Sequence, residues 1–218
     1  MEKKRMYDNL LFDLDGTLTD PGEGITNSVA YALKKWGIEV SDRSELYKFI
    51  GPPLVCSFMQ YYEFSQSEAE QAVVYYREYF KDIGIFENRV YDGVTDMLKS
   101  LQAAGKKIIL ATSKPEVFAK RILEHFELEP YFDCVAGATL DGTISEKADV
   151  IAYALKSSNI TDKSRTVMIG DRKHDIIGAR ANGLDSIGVL YGYGSLEELQ
   201  MAGATYTVSE PAEILRSV

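Results

Sequence analysis

Short apolar runs rich in Val, Ile and Leu recur along most of the chain, and most are followed by a stretch whose apolar positions return every three or four residues. Runs at 7–12, 107–111, 134–138, 166–169, 186–190 and 205–208 have the pattern of buried strands. Stretches at 115–125, 145–157, 175–182 and 196–202 have that of amphipathic helices. Parallel strands need a crossover, and a helix supplies it, so this alternation predicts βαβ units around a parallel sheet. The expected class is α/β, a doubly wound, Rossmann-like sheet.

Residues 20–87 break the alternation: they show helical periodicity without a convincing strand. Ser65-Gln66-Ser67-Glu68 is a capping box, followed at helical spacing by Ala69, Ala72, Val73, Tyr76 and Phe80. Asp42 to Glu45 repeats that spacing ahead of Leu46, Phe49 and Ile50, and Ile25, Val29, Ala32, Leu33 and Trp36 form a third stripe closed by Gly37. Three or four packed helices are the natural solution for such a segment. The predicted organisation is therefore an α/β core made of 1–19 and 88–218, with an all-helical cap, 20–87, inserted after the first strand. Tyr61, Tyr62, Tyr75 and Tyr79 read as bundle filler, as does Trp36. Gly51-Pro52-Pro53 is a stiff break between two helices, suited either to plain connection or to presenting a rigid loop to a substrate.

Composition narrows the possibilities. The chain has 218 residues, 24 basic and 33 acidic, for a net charge of -9, which argues against a nucleic-acid polymer as partner but leaves room for a small phosphorylated ligand held by local cations. Cys56 and Cys134 are too few for a disulfide framework and read as reduced core thiols. Asp8 and Asp13 interrupt the apolar stretch after the basic N-terminus, and no apolar span is long enough for a membrane helix. A cytoplasmic location with no membrane partner is expected; oligomeric state is not legible.

The chemistry collects where the strands end. Asp13-Leu14-Asp15-Gly16-Thr17 follows Leu10-Leu11-Phe12, placing two carboxylates i, i+2 where the first strand must break. Two like charges about 4 Å apart repel by about 4 kcal/mol at an effective dielectric near 20, so the pair calls for a cation, a shared proton, or both. A calcium loop is excluded, because glycine falls at the fourth position from Asp13 and Gly24 at the twelfth, where glutamate is required. In open parallel sheets ligands bind beyond the carboxyl ends of the strands. Thr112, Ser113 and Lys114 follow the run at 107–111, and Gly170, Asp171 and Asp175 follow that at 166–169. Lys147 lies near a helix start, where the helix dipole also favours an anion. One sheet edge would thus gather four carboxylates, a hydroxyl pair and two lysines. Carboxylates with few other protein ligands suit Mg²⁺, and hydroxyls, lysine and backbone amides suit phosphoryl oxygens.

Asp13-Leu14-Asp15-Gly16-Thr17, Thr112, Lys147, and Gly170-Asp171 with Asp175 resemble, in order and approximate spacing, the four motifs of the haloacid dehalogenase-like superfamily, over nearly the whole chain. Its phosphoglycolate phosphatase-like and nucleotidase-like members, with a helical cap, are the most similar. The resemblance implies a Mg²⁺-dependent phosphatase of a small phosphomonoester: phosphoglycolate-like, a nucleoside monophosphate or a sugar phosphate. Asp13 would be the nucleophile and Asp15 the general acid and base. Asp13, Asp15 (through its backbone carbonyl), Asp171 and Asp175 would form the metal site. Thr112, Ser113, Lys147 and the backbone at Gly16 would bind the phosphoryl group, and Gly51, Pro52 and Pro53 would tune specificity. Ser113 stands where many phosphoglycolate phosphatase-like members have Asn, and Ala148 follows Lys147 where many have Pro. These departures weaken phosphoglycolate as substrate and leave the catalysis intact. The alternatives are a sugar phosphomutase using the same Asp13 and Asp15, and a non-catalytic phosphate-ligand protein, which would be expected to have lost a carboxylate. A dehalogenase is disfavoured, because halide displacement gives Asp15 no role. His174 reads as surface filler.

Overall fold

The computed structural model describes residues 6–218. In chain order the strands are β1 (Asn9–Phe12), β2 (Thr19–Asp20), β3 (Arg89–Val90), β4 (Lys107–Pro115), β5 (Cys134–Ala138), β6 (Thr166–Gly170), β7 (Asp185–Val189) and β8 (Tyr206–Val208). The α-helices are α1 (Gly22–Lys35), α2 (Leu54–Tyr62), α3 (Gln66–Tyr79), α4 (Val94–Ala103), α5 (Glu116–His125), α6 (Lys147–Ser157), α7 (Lys173–Ala181), α8 (Leu196–Ala202) and α9 (Pro211–Ser217). The chain divides into two compact units, one comprising the residues up to Thr19 with Val90–Val218, the other Asp20–Arg89.

The first unit is a six-stranded sheet in the order β5-β4-β1-β6-β7-β8, with every pairing parallel. β1 lies between β4 and β6, Phe12 standing level with Leu110 on one side and Ile169 on the other. After β5 the chain returns across β1 to start β6. The sheet's winding therefore reverses beside β1, and in sheets of this kind ligands bind at such a reversal, beyond the strands' carboxyl ends. Leu10, Leu11 and Phe12 are all fully buried, as a strand covered on both faces requires. Leu11, Ile109 and Met168 pack against Val150, Ile151, Ala154 and Ala179 of α6 and α7. Fully burying a side chain of this kind contributes about 1.5–3 kcal/mol.

β4 runs further than its apolar pattern, through Thr112, Ser113 and Lys114 to Pro115, with an irregular register between Thr112 and Pro115. β5 continues alongside it, and a residue ahead of proline is held extended, so α5 starts only at Glu116. α4 and α9 are additional to the predicted elements. α4 buries Val94, Met97, Leu98 and Leu101, a helical stripe, and α9 opens on a proline at its first position.

Within Asp20–Arg89, α1 packs on α3 and α2 packs on α3. The capping box forms: Ser65 N donates to Glu68 Oε2 at 2.9 Å, and Glu68 N to Ser65 Oγ at 3.4 Å. The Asp42 cap begins a 3₁₀ helix, Arg43–Phe49, rather than an α-helix. The segment is short, as such helices usually are, and the chain is extended again at Ile50. Ile25, Val29, Ala32, Leu33, Ala69, Ala72, Val73, Tyr76 and Phe80 are buried. Trp36 is not a core residue. It caps α1, is 36% exposed, and its ring lies 5.0 Å from that of Phe64, because the helix stops one residue before it. Tyr61, Tyr62, Tyr75 and Tyr79 are half-buried, and the first two pack on Phe49. Both cysteines are unpaired; Cys134 is half-buried against the sheet's core, whereas Cys56 is exposed and not a core thiol, because α2 buries only Ser57 and Phe58 and Cys56 falls on its outer side. Among the described residues no helix is long and apolar enough to cross a membrane.

Candidate active site

β1 ends where charge begins. Asp13 N still donates to Ile169 O at 2.9 Å, but the chain then turns, with Gly16 N donating to Thr19 O and Leu18 N to Leu14 O. Gly16 sits at φ +82°, and a Cβ there would overlap the Asp171 carboxylate. Both its backbone angle and its close approach to Asp171 require glycine.

Asp13 follows β1, Asp171 follows β6, and Asp175 lies in the first turn of α7. All three are buried, and each offers a carboxylate oxygen within 4.8 Å of the others. Lys147, the first residue of α6, is buried with them. Its Nζ forms ion pairs at 2.7 Å with Asp13 Oδ1 and 2.7 Å with Asp175 Oδ1, and it donates to Ala111 O at 3.0 Å. Asp175 Oδ2 accepts from Arg172 N at 3.0 Å, and Asp171 Oδ2 from Tyr193 N at 2.7 Å. Asp171 Oδ1 accepts no hydrogen bond.

This is an electrostatically costly arrangement. Unit charges 4.8 Å apart repel by about 3.5 kcal/mol at an effective dielectric of 20. Burial, reinforced by the Asp175 and Asp13 carboxylates, pushes the Asp171 carboxyl well above the usual range. Burial also pushes Asp175 up to about 6 despite the opposing pull of Lys147. Burial alone would lower Lys147, but Asp13 and Asp175 outweigh it and hold the ammonium protonated far above neutrality. Three buried carboxylates, one with an oxygen that neither accepts a hydrogen bond nor pairs with Lys147, fit a hard divalent cation.

The Asp15 carboxylate does not join that group. Its Oδ2 pairs at 2.9 Å with Nζ of Lys114, and its Oδ1, also buried, accepts no hydrogen bond. Burial raises its pKa, with Lys114 opposing. The expected set of four carboxylates is thus three around one centre and a fourth on its own cation. Nor do the two hydroxyls form a pair. Thr112 and Lys114 are buried while Ser113 between them is half-buried, the alternation of a strand. Thr112 Oγ1 accepts from Lys114 N at 3.2 Å. Gly51, Pro52 and Pro53 belong to the other unit, where Gly51 has φ +104° and Pro53 precedes α2.

Residues 10–189 match the haloacid dehalogenase-like hydrolase family. The chain belongs to that family. It is 46% identical to a 5'-nucleotidase of Pseudomonas aeruginosa over 95% of this chain and 94% of that protein. A crystal structure described as a predicted phosphatase from Clostridium acetobutylicum superposes with a TM-score of 0.94 at 55% identity, covering 97% of each chain. The chain is also 39% identical to the tyrosine-protein kinase PtkA of Mycobacterium tuberculosis, over 90% of this chain and 66% of that protein.

In this haloacid dehalogenase-like hydrolase the loop after β7 completes the acid cluster, and the pattern of strands and motifs did not single it out. Tyr191 donates from its hydroxyl to Thr17 O at 3.0 Å, and Tyr193 N holds Asp171. A Cβ on Gly192 would overlap Gly16 O, and one on Gly194 would overlap Asp171 O. Gly170 leaves similar room for Asp175. The signal was Tyr191-Gly192-Tyr193-Gly194 at the carboxyl end of a parallel strand, where the other site residues also lie. His174 is half-buried on α7, its imidazole pushed down by burial and by Arg172 and Lys173.

Proposed function

We propose that the protein is a Mg²⁺-dependent phosphatase of a small phosphomonoester, working through an aspartyl-phosphate on Asp13. One observation carries this: Asp13 is buried at the carboxyl end of β1 beside Lys147, Asp171 and Asp175, whereas Asp15, two residues on, is held apart by a separate cation. Two carboxylates in two environments suit two roles, nucleophile and proton carrier.

An oxygen of Asp13 attacks phosphorus in line with the leaving oxygen; as the new P–O bond forms, the ester P–O bond breaks, and Asp15 passes its proton to the departing oxygen. Asp15, now a carboxylate, takes a proton from water as that water attacks the phosphorus. The bond to Asp13 breaks, orthophosphate leaves, and both residues return to their starting states. Lys147 offsets charge on the phosphoryl oxygens, and Asp175 orients Lys147. Thr112, Ser113 and the backbone at Gly16 are proposed as further phosphoryl contacts, and Gly51-Pro52-Pro53 as a specificity loop. Mg²⁺ would be held by Asp13, Asp171, the Asp15 carbonyl and the neighbouring Asp175, and would supply the positive charge that lets a dianionic substrate approach so acidic a site.

The relative named 5'-nucleotidase favours nucleoside 5'-monophosphates as the first substrates to test. The experiment is orthophosphate release from nucleotides, sugar phosphates, phosphoglycolate and p-nitrophenyl phosphate with Mg²⁺, for the wild type and Asp13→Asn. Release that Asp13→Asn abolishes is expected. Absence of turnover across the panel would overturn the enzyme assignment, and isomer formation without orthophosphate would make it a mutase.

A further inference from the structure

We propose that Lys114 is a positioning residue that holds one oxygen of Asp15 and thereby keeps the other for proton transfer to and from the reacting oxygens. The proposal rests on the phosphatase function given above. Lys114 is 8% exposed, deep for a lysine, and its ammonium lies 2.9 Å from Asp15 Oδ2. The strand places it there. Thr112 and Lys114 are the buried positions of the irregular end of β4, and Lys114 N donates to Thr112 Oγ1, fixing the backbone from which the side chain extends.

A carboxylate beside a divalent-cation site has an obvious competing fate, which is to become one more ligand. Asp15 lies close enough to Asp13 and Lys147 to feel both charges, yet its carboxylate stays outside the group formed by Asp13, Asp171 and Asp175. Lys114 supplies the competing attraction. With Oδ2 engaged, Oδ1 is left buried and without a hydrogen-bond partner, the condition expected of an oxygen reserved for a group that arrives with the substrate. Lys114 acts through Asp15 and need not touch the phosphate.

Leaving-group dependence separates this role from others. p-Nitrophenolate departs without a proton, whereas the alkoxide of a nucleoside 5'-monophosphate needs one, and positioned general acids contribute about 10²–10⁴-fold. Lys114→Met should lower kcat/KM, which reports formation of the aspartyl-phosphate, for the alkyl ester by about 10²-fold or more and for p-nitrophenyl phosphate by less than about 10-fold, whereas breakdown of the aspartyl-phosphate, in which Asp15 is the base for both esters, should slow alike. In an Asp15→Asn background, where the proton carrier is already gone, Lys114→Met should change the alkyl rate little further. Near-UV circular dichroism establishes that each variant is folded. If Lys114→Met does not fold, Lys114→Arg decides, with a smaller change in the alkyl-to-aryl ratio in the same direction. Equal loss of kcat/KM on both esters in the deciding variant, or a raised KM with kcat unchanged, would overturn the proposal. Failure of the phosphatase function itself would look different, since the wild type would then turn over neither ester.

Discussion

Replacing Asp171 with Asn removes one charge from the acid cluster with almost no change of shape. The side-chain oxygen of Asn still accepts from Tyr193 N, and its amide takes the place of Oδ1, which accepts no hydrogen bond, and can donate toward the neighbouring carboxylates. Without metal, the native protein must either hold Asp171 ionised against Asp13 and Asp175 or hold it protonated. From an ordinary carboxyl value of 3.8, keeping it protonated at pH 7 costs about 4 kcal/mol, and that sets the upper limit of what Asn recovers. The sign follows from the raised folded-state pKa: the wild type is unpenalised below about pH 4 and loses stability as pH rises. Asp171→Asn should therefore unfold later than the wild type in EDTA at pH 7, by roughly 5–15 °C for a chain of this size. The gap should shrink toward pH 4. Mg²⁺ at a hundredfold excess over its Kd would stabilise the wild type by about 2.7 kcal/mol and the variant far less, narrowing the difference by up to about that amount. Thermal melts in EDTA and in Mg²⁺ at both pH values provide the assay. A variant that melts earlier than the wild type in EDTA at pH 7, yet keeps the full Mg²⁺ shift, would refute the electrostatic reasoning.

Lys147→Gln leaves Asp13 and Asp175 buried without their cation, and should lower stability by about 3–5 kcal/mol in urea unfolding while abolishing measurable turnover by the folded fraction. Gly16→Ala forces a side chain at φ +82° onto the Asp171 carboxylate; it should cost about 1–3 kcal/mol and, more tellingly, remove the Mg²⁺-induced rise in Tm. Asp175, raised to about 6, makes the metal-free wild type lose about 3 kcal/mol between roughly pH 4 and pH 6, which urea titrations across that range in EDTA would register; Mg²⁺ should flatten the profile.

The strands of the sheet were legible because burial on both faces leaves an unbroken apolar run, as in Leu10-Leu11-Phe12 and 166–169. The rule that parallel sheets bind ligands at their carboxyl ends then brought Asp13, Asp171, Asp175 and Lys147 to one edge from distant parts of the sequence, and the structure places these four side chains together. What could not be read was the partition of charge within that edge. Once β1 breaks at Asp13, the alternation that set side-chain direction no longer applies, so the family resemblance, and not the residue pattern itself, separated the Asp15 carboxylate from the other acids. Its partner Lys114 is turned inward because β4 continues beyond its apolar run, a consequence of β5 pairing alongside. The Tyr191–Gly194 loop escaped notice because its contribution is made by a backbone N–H and by absent side chains, which leave no chemical signature in a motif. The outward position of Cys56 and the 3₁₀ form of Arg43–Phe49 were likewise set by local chain geometry rather than by hydrophobic period.

The covalent role proposed for Asp13 can be measured directly. Wild-type protein turning over p-nitrophenyl phosphate with Mg²⁺ is quenched in acid and examined by intact-mass and peptide mass spectrometry. A single phosphoryl group on Asp13, absent from Asp13→Asn and absent without Mg²⁺, is the expected result. Active turnover with no such adduct under any quench, or with the phosphoryl group on another residue, would contradict the assignment.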